Sequence, residues 1–432
     1  MAFPVVATTN TTADTDGTST VINMPASISA GDLLIVWDTN DATGTPRSQS
    51  GGSDWTRIST GANGTVISMA IFAKIAAGGD TLTLAGAAQD SATVSARITG
   101  HGVTNVSVDI MIGTPATGLD AAPNPPNVAH GGPQDYLVLE SAHSDDDDDT
   151  ATYWSSGYSA VNQVQSASST SSCLTSVGQL AVSNTAENPG VMALAASEEW
   201  VAQTISIPPA LPTTYTKFSD DFNRTDTTDL SADWDSGYTS QTNAQIVSNA
   251  VRTGTLGSSG VESVNSVTVT DDQWASAVIK TINTTNPAYV AVITRMTAPA
   301  TYSGYRFVAV RGDTGDTKRG FLTSVSAGVG TDLATDTTTA WVATDEVRGI
   351  SIGTRHTMQR KPSGGAWAST LTAVDGTHTS GRVGIRVYAA IAGAIGDAEM
   401  ESYAAGDFTA PAATTPIAPT IKLDAVHRSF SW

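Results

Sequence analysis

The stretch "FSDDFNRTDTTDLSADWD" places six aspartates within residues 218–235. Carboxylates this dense can hold a divalent cation, or divide acid and base work between them. A second group lies in "DAEMESY" (397–403), where Asp397, Glu399 and Glu401 share one strand face by the two-residue period. Glycoside cleavage needs two carboxyls about 5–9 Å apart, one as acid and one as nucleophile or base. The densest run, "SDDDDDT" (144–150), sets five like charges side by side. Such charges repel and stay solvated, and the run lacks the alternating acids and fixed glycine of a calcium loop.

Other chemistries find less support. The six histidines, at 101, 130, 143, 356, 378 and 427, have no pairing spacing, so no zinc site is expected. No phosphate-loop or dinucleotide motif occurs. The Arg-Gly-Asp within "VRGDTGD" (310–316) reads as ordinary turn chemistry. Aromatics are a different case, because an exposed Trp or Tyr face stacks on sugar rings. Tyr302, Trp341 and Trp367 sit near turns or loop ends and form the candidate glycan-contacting rim. Tyr305 and Trp274 sit within strands and read as core.

The elements that position these residues must be strands. The 432 residues are only 14% charged and lean on Thr, Ser, Ala, Gly and Val, which favours short strands and many turns. Net charge is −20, with 20 acids against 4 bases in residues 1–210 and 21 against 17 in 211–432. An acidic surface repels phosphate backbones and anionic lipid, so nucleic acid is not an expected partner. No run of eighteen apolar residues appears, so no membrane insertion is expected. "MAFPVVATTNTTADTDG" has neither a basic nor an apolar leader region, so no export signal is expected. Cys173 stands alone and reads as a small buried residue.

The first half reads as a duplication. "GDLLIVWDTNDATGTP" (31–46) parallels "QDYLVLESAHSDDDDD" (134–149), and "SDWTRIST" (53–60) parallels "SGYSAVNQ" (156–163). "SMAIFAKIA" (68–76) parallels "LTSVGQLAV" (174–182), and "DSATVSARI" (90–98) parallels "EWVAQTISI" (199–207). The order is the same throughout and the offset stays between 103 and 109. We therefore place a first β repeat at 1–112, a Pro/Gly-rich crossover without strands at 113–133, and a second repeat at 134–210. A linker follows at 211–217, and a Pro/Ala/Thr-rich tail at 409–432. Between them, 218–408 carries strong strand signals. One is "QWASAVIKTIN" (273–283), where Trp274, Ser276 and Val278 alternate with Ala275, Ala277 and Ile279.

The ordered set "DDFNR…DW…QIVSNAVR…DQWASAVIKT…AYVAVITRM…GYRFVAV…VRGISIGTRHTMQRK…SGRVGIRVY…AEMESYAAGDF" resembles the concanavalin A-like, laminin-G-like jelly-roll domain over 218–408. Residues 1–210, through "SAGDLLIVW", "DWTRIST" and "WVAQTISIPP", resemble the duplicated N-terminal β domain of phage tail and head accessory proteins. Together the resemblances imply an all-β protein: a duplicated N-terminal β-sandwich followed by a concanavalin A-like jelly-roll sandwich. They imply a non-enzymatic bacteriophage virion protein, a tail fibre, minor tail protein or head appendage, assembled in the host cytoplasm. Its first half would dock on other virion proteins or on sister subunits, in a homo-oligomer such as a trimer, and its second half would reach host-surface polysaccharide. The alternatives are a capsid cement protein without ligand and a secreted bacterial protein that binds or cleaves glycan. The resemblance also makes 397–403 the closing strand, beside the first strand and not the catalytic one. Asp220 and Asp221 would then meet Glu399 and Glu401, with a structural calcium as the one candidate cofactor.

Overall fold

The computed structural model describes residues 2–41, 44–132, 134–145, 154–166, 172–236, 238, 241–264, 266–283, 288–297, 302–311, 320–390 and 395–408. Asp146–Asp149 of the acidic run, Gly312 and Asp313 of the Arg-Gly-Asp triplet, and the tail 409–432 lie outside the described residues.

The duplication is real at the level of topology. The first sheet runs Val5–Val21, Thr83–Thr99, Leu33–Asp41, Ile67–Ile75, Thr56–Asn63 from edge to edge. In the second, Met111–Ile112 and Ala116–Asp120 share the edge, followed by Glu198–Ile207, Tyr136–Asp145, Cys173–Val182 and Ser159–Gln165. Each strand of one sheet thus has its counterpart at the same place in the other. Leu33 pairs with Ile75 and Ile98, and Leu137 pairs with Ala181 and Ile207.

Each repeat supplies one sheet, and the two sheets close face to face into a single sandwich. Leu33, Ile35 and Trp37 pack in one core with Leu137, Leu139, Val201 and Ile205. The sheet register makes Leu33 equivalent to Leu137, one residue out of the sequence parallel, so Thr39 matches His143 and not Ala142; the two meet across the interface, Oγ1 to Nδ1 at 2.6 Å. Contact between equivalent positions is what a two-fold relation between repeats produces at its axis. The outer face of the first sheet is covered too, by Ile22, Trp55, Leu82 and Leu84 over Leu34, Val36 and Phe72. A strand covered on both faces reads as a continuous apolar run, which explains "LLIVW".

A charged pair is buried on the outer face of the first sheet. Arg47 and Asp38 form an ion pair with side chains 0% and 1% exposed, and Thr93 donates to Asp38 at 2.8 Å while Arg47 donates to Thr20 at 2.7 Å. Burial pulls the Arg47 pKa down, and Asp38 more than offsets this.

Three expected boundaries shift. The crossover 113–133 contains the strands Ala116–Asp120 and Val128–Ala129. Its prolines, at 115, 123, 125, 126 and 133, fall outside both, so no ladder hydrogen bond is lost. Met111–Ile112 belongs to the second sheet, not to the first repeat. The linker 211–217 is partly strand: Thr214–Asp220 pairs with Ala398–Phe408 and opens the jelly roll earlier than Phe218.

The jelly roll is two sheets. The eight-stranded one runs Ala244–Ile246, Val251–Thr253, Ala398–Phe408, Gln273–Ile282, Glu346–Ile352, Arg355–Lys361, Ala368–Val374, with Thr214–Asp220 also on Ala398–Phe408. The seven-stranded one runs Trp234–Asp235, Ser259–Val264, Arg382–Ala389, Ala288–Met296, Gly304–Arg311, Gly320–Ser326, Val329–Asp336. Ala275, Ala277 and Ile279 face a core shared with Val290, Val292, Phe307 and Ile385. Ser248 and Asn249 have φ of 52° and 58°, and Val247 and Ala250 exchange backbone hydrogen bonds around them. That is the tight hairpin turn expected from "VSNAV".

The two sandwiches touch directly. Asn105 caps the short helix Val106–Asp109 and donates to the Ser369 carbonyl at 2.9 Å, and Arg355 reaches Asp109 at 3.5 Å. Gly131 and Gly132, at φ 80° and 129°, pass so close to Val374, Arg355 and Thr354 that a Cβ at either would collide. The cavity at this joint is about 30 Å³, room for one water.

Asp38→Ala strands a guanidinium in the N-terminal core. We expect it to destabilise that sandwich by about 3–5 kcal/mol in urea denaturation, with Asp38→Leu/Arg47→Met recovering most of the loss. A double variant as unstable as the single one would mean that the pair is not the source.

Candidate functional site

A wide opening lies on the outer face of the eight-stranded sheet. It is a groove of about 510 Å³, within the range of small-molecule sites. Its floor is made of small side chains, Ser276, Ser402 and Ala404, on the adjacent strands Gln273–Ile282 and Ala398–Phe408. Ser219 and Asp221 of the opening strand and its turn form one wall, and Glu346 forms the other. The sequence places these residues by alternation: Ala275 and Ala277 fill the core, so Ser276 and Val278 face out. Hydroxyls and carboxylates along a shallow floor match what sugar hydroxyls need as partners.

Glu346 is tied to the third aromatic of the expected rim. Its carboxylate takes Lys361 at 3.2 Å, the Lys361 ammonium stands 5.6 Å from the Trp367 ring, and Arg348 lies over that ring at 4.0 Å. Trp367 is half-buried at the surface beside the groove wall. Tyr302 and Trp341 are corrections. They are 2% and 0% exposed, so neither ring offers a face to a sugar. Trp341 folds into the core between the sheets, whereas Tyr302 is buried with Tyr238, Ile293 and Val325 in a separate cluster on the outer face of the seven-stranded sheet.

The four carboxylates named for a calcium, Asp220, Asp221, Glu399 and Glu401, are not brought together. Asp220 accepts from Arg224 at 2.6 and 2.9 Å, from Trp234 Nε1 at 3.0 Å and from the Phe222 amide at 2.8 Å. Burial pushes its pKa up, but Arg224, the Phe222 amide and Trp234 more than offset that, leaving it below the ordinary carboxylate range. A guanidinium thus holds the place that a cation would take. Asp221 points away and accepts the Asn223 amide at 3.0 Å. Glu399 turns to Arg252 at 3.8 Å and Thr281 at 3.3 Å, and Glu401 is exposed. First and last strands are neighbours as expected, but Asp220 pairs with Tyr403, not with Glu399 or Glu401. Among the described residues no three His, Cys, Asp or Glu side chains gather to hold a metal ion.

One constellation inside the jelly roll resembles a nucleophile triad and is not one. Ser351 Oγ and His356 Nδ1 are 2.9 Å apart, and His356 Nε2 meets the backbone carbonyl of Asp375 at 2.9 Å. The Asp375 carboxylate goes instead to the Tyr305 hydroxyl at 2.6 Å, and Tyr305 stacks on His356 at 3.7 Å. Ser351 and His356 are 0% exposed, and burial lowers the His356 pKa to about 4. A sealed serine beside a weak base cannot attack a substrate. Glu262 lies in the same interior. Its Oε1 accepts the Ala244 amide at 3.0 Å, its Oε2 has no partner among the described residues, and burial raises its pKa to about 8.

The pocket residues missed in the sequence are Ser276, Ser402 and Glu346. Ser276 sits at the outward phase of a strand whose inward phase was read correctly, whereas a bulge between Met400 and Ser402 breaks the alternation expected for 397–403, and Asp397 precedes the strand Ala398–Phe408. Nothing in the sequence said which outward faces stay open.

No family model matches the sequence, and no curated protein matches it. Solved structures that resemble it are carbohydrate-binding, lectin-like and glycoside hydrolase domains. The carbohydrate-binding module CBM66 from Bacillus subtilis is 14% identical with a TM-score of 0.30, covering 41% of this chain and 94% of that one. The exoplasmic/lumenal domain of VIP36, in a Ca2+- and mannose-bound form, is 12% identical with a TM-score of 0.33, covering 42% and 85%. The GH43 protein BlXynB from Bacillus licheniformis is 10% identical with a TM-score of 0.32, covering 55% of this chain and 47% of that one. The fold class rests on the sheet topology itself: an all-β chain of two antiparallel sandwiches, the second a jelly roll.

The interior groups make a pH prediction. His356 takes a proton near 6.5 when unfolded and only near 4 when folded, so its contribution is lost as pH falls through that window. Glu262 keeps its proton to about 8 when folded but loses it near 4.5 when unfolded, so its contribution is lost as pH rises. The two oppose between 4.5 and 6.5, and Glu262 acts alone above. Stability should fall from pH 6.5 to 8 by about 1.4 kcal/mol per unit, and Glu262→Gln should flatten that slope in urea titrations. An unchanged slope would assign it to another group.

Proposed function

We propose that this chain is a non-catalytic glycan-binding protein whose jelly roll presents the groove over Ser276 and Ser402. The observation that carries the reading is the groove itself: open, polar, floored by hydroxyls, and walled by Asp221 and Glu346. Neutral sugars present several hydroxyls in one plane, and carboxylates and serines accept and donate to them at low desolvation cost. Binding is favoured over cleavage by the state of the groove acids. Glycoside cleavage needs a carboxyl kept protonated near neutral pH. Asp220 is driven the other way by Arg224, and Glu346 is paired with Lys361. The direct contact at Asn105, Asp109, Ser369 and Arg355 makes the N-terminal sandwich a base for the jelly roll.

The setting we propose is a bacteriophage particle, with other virion proteins as neighbours of the N-terminal sandwich. The sequence resemblance of both halves supports it. Mass spectrometry of purified particles tests it, and absence of the chain from them would overturn it.

The binding reading is tested with the full chain on an array of neutral oligosaccharides. We expect specific retention that Ser276→Trp, which fills the groove, weakens about tenfold or more while the far-ultraviolet spectrum is unchanged. Retention that survives Ser276→Trp would move the site elsewhere. Release of reducing sugar by the wild type would replace binding with hydrolysis.

A further inference from the structure

The outer face of the seven-stranded sheet carries a second surface, on the other side of the jelly-roll core from the groove. Alternation along three strands puts Tyr289, Arg306, Arg386 and Tyr388 outward, while Val290, Phe307, Ile385 and Val387 fill the core. Register then joins them. Tyr289 pairs with Tyr388 across the ladder, and their rings stack at 5.0 Å with 17° between planes. The Tyr289 hydroxyl lies 3.2 Å from Ser259 Oγ, which fixes that ring. Phe321 stands edge-on to Tyr289 at 6.5 Å.

Two guanidiniums border this platform. Arg306 lies 6.0 Å from the Tyr289 ring and 5.6 Å from Phe321; Arg386 lies 5.4 Å from Tyr289 and 5.8 Å from Tyr302. Neither has a carboxylate within ion-pair reach among the described residues, and the Nε of each is buried without a hydrogen-bond partner among them. The nearby acids are engaged elsewhere. Asp332 accepts from Thr323 at 3.0 Å, and Asp235 pairs with Arg382, four residues before Arg386 on the same strand. In a chain of net charge −20, two guanidiniums on one aromatic patch without an ion pair among the described residues set a locally positive surface.

We infer that this patch is a second saccharide site, for a sugar that carries a carboxylate, a uronic or ulosonic acid residue. Tyr388, half-buried and stacked on Tyr289 by one side, offers apolar contact to the sugar ring, and the two planar guanidiniums offer forked donors to its carboxylate. The number of cations sets the ligand's charge. Two guanidiniums more than balance the single charge of one carboxylate. A polyanion would extend beyond the screening length of about 8 Å into the field of an acidic protein. An isolated or terminal acidic sugar fits, and a nucleic acid strand does not. This site is independent of the groove reading: it uses other residues, another sheet and another ligand class.

The test is an array of acidic glycans printed beside their carboxyl-reduced forms, probed with the full-length protein and followed by calorimetry on the best pair. The expected result is a preference of about tenfold for the acidic form, falling as salt rises from about 50 to about 300 mM. Arg386→Gln and Arg306→Gln should each reduce that preference towards one, and Tyr388→Ala should weaken both forms together. Ser276→Trp should leave the preference intact, so loss of groove binding and loss of this site are read separately. Near-ultraviolet spectra confirm that each variant is folded, and Arg306→Lys, which keeps the charge but loses the fork, gives a second reading. Equal binding of acidic and reduced forms, a preference that survives the double Arg→Gln variant, or stronger retention of a single-stranded oligothymidylate would each overturn the proposal.

Discussion

The jelly roll depends on one strand, Ala398–Phe408, being held between Gln273–Ile282 on one side and Thr214–Asp220 on the other. The second pairing joins residues nearly two hundred positions apart, and such closure is paid for in chain entropy before any contact repays it. Once made, it determines much else. It lays Ser402 and Ala404 beside Ser276 to floor the groove, and it brings Asp220 and Tyr403 together. It also fixes where the jelly roll begins. Thr214 pairs with Phe408, only a few residues after the second sheet of the N-terminal sandwich ends at Ile207. With so short a connection, the two sandwiches lie against each other, and the Asn105, Asp109, Arg355 and Ser369 contacts follow.

The N-terminal half solves the burial problem differently. Each repeat makes a sheet with an apolar inner face, and neither face can stay wet. Packing the repeats against one another covers both at once. The cost appears in the polar residues trapped between the two sheets, Thr39 against His143 and Thr175. Burial lowers the His143 pKa to about 3, so it stays a neutral hydrogen-bonding partner.

Strand phase was legible in the sequence, because period-2 alternation is set locally. "QWASAVIKTIN" divides into inner and outer residues as the structure has them, and the Ser-Asn turn lies where it was expected. The duplication was legible from segment order, though not that each repeat is one sheet. The sites were less legible. Trp367 is partly at the surface, while Tyr302 and Trp341, in the same kind of position by sequence, are sealed inside. Proximity to a turn does not say which way a ring points. The aspartates of the opening stretch looked like a cation site because their sequence neighbours are acids, but Asp220 reaches Arg224 and Trp234 through a turn at Phe222 with φ of 50°.

By itself the sequence determined the all-β class, the repeat, the strand phases and the position of most turns, since each depends on neighbours within a few residues. Tertiary structure alone decided which outward faces remain open, which acids find a cation, and which aromatic rings meet. Ser276 and Ser402 share a floor, and Tyr289 stacks on Tyr388, because ladders pair strands far apart in the chain. A strand's alternation says which side a residue faces; only its register with distant strands says what it faces there.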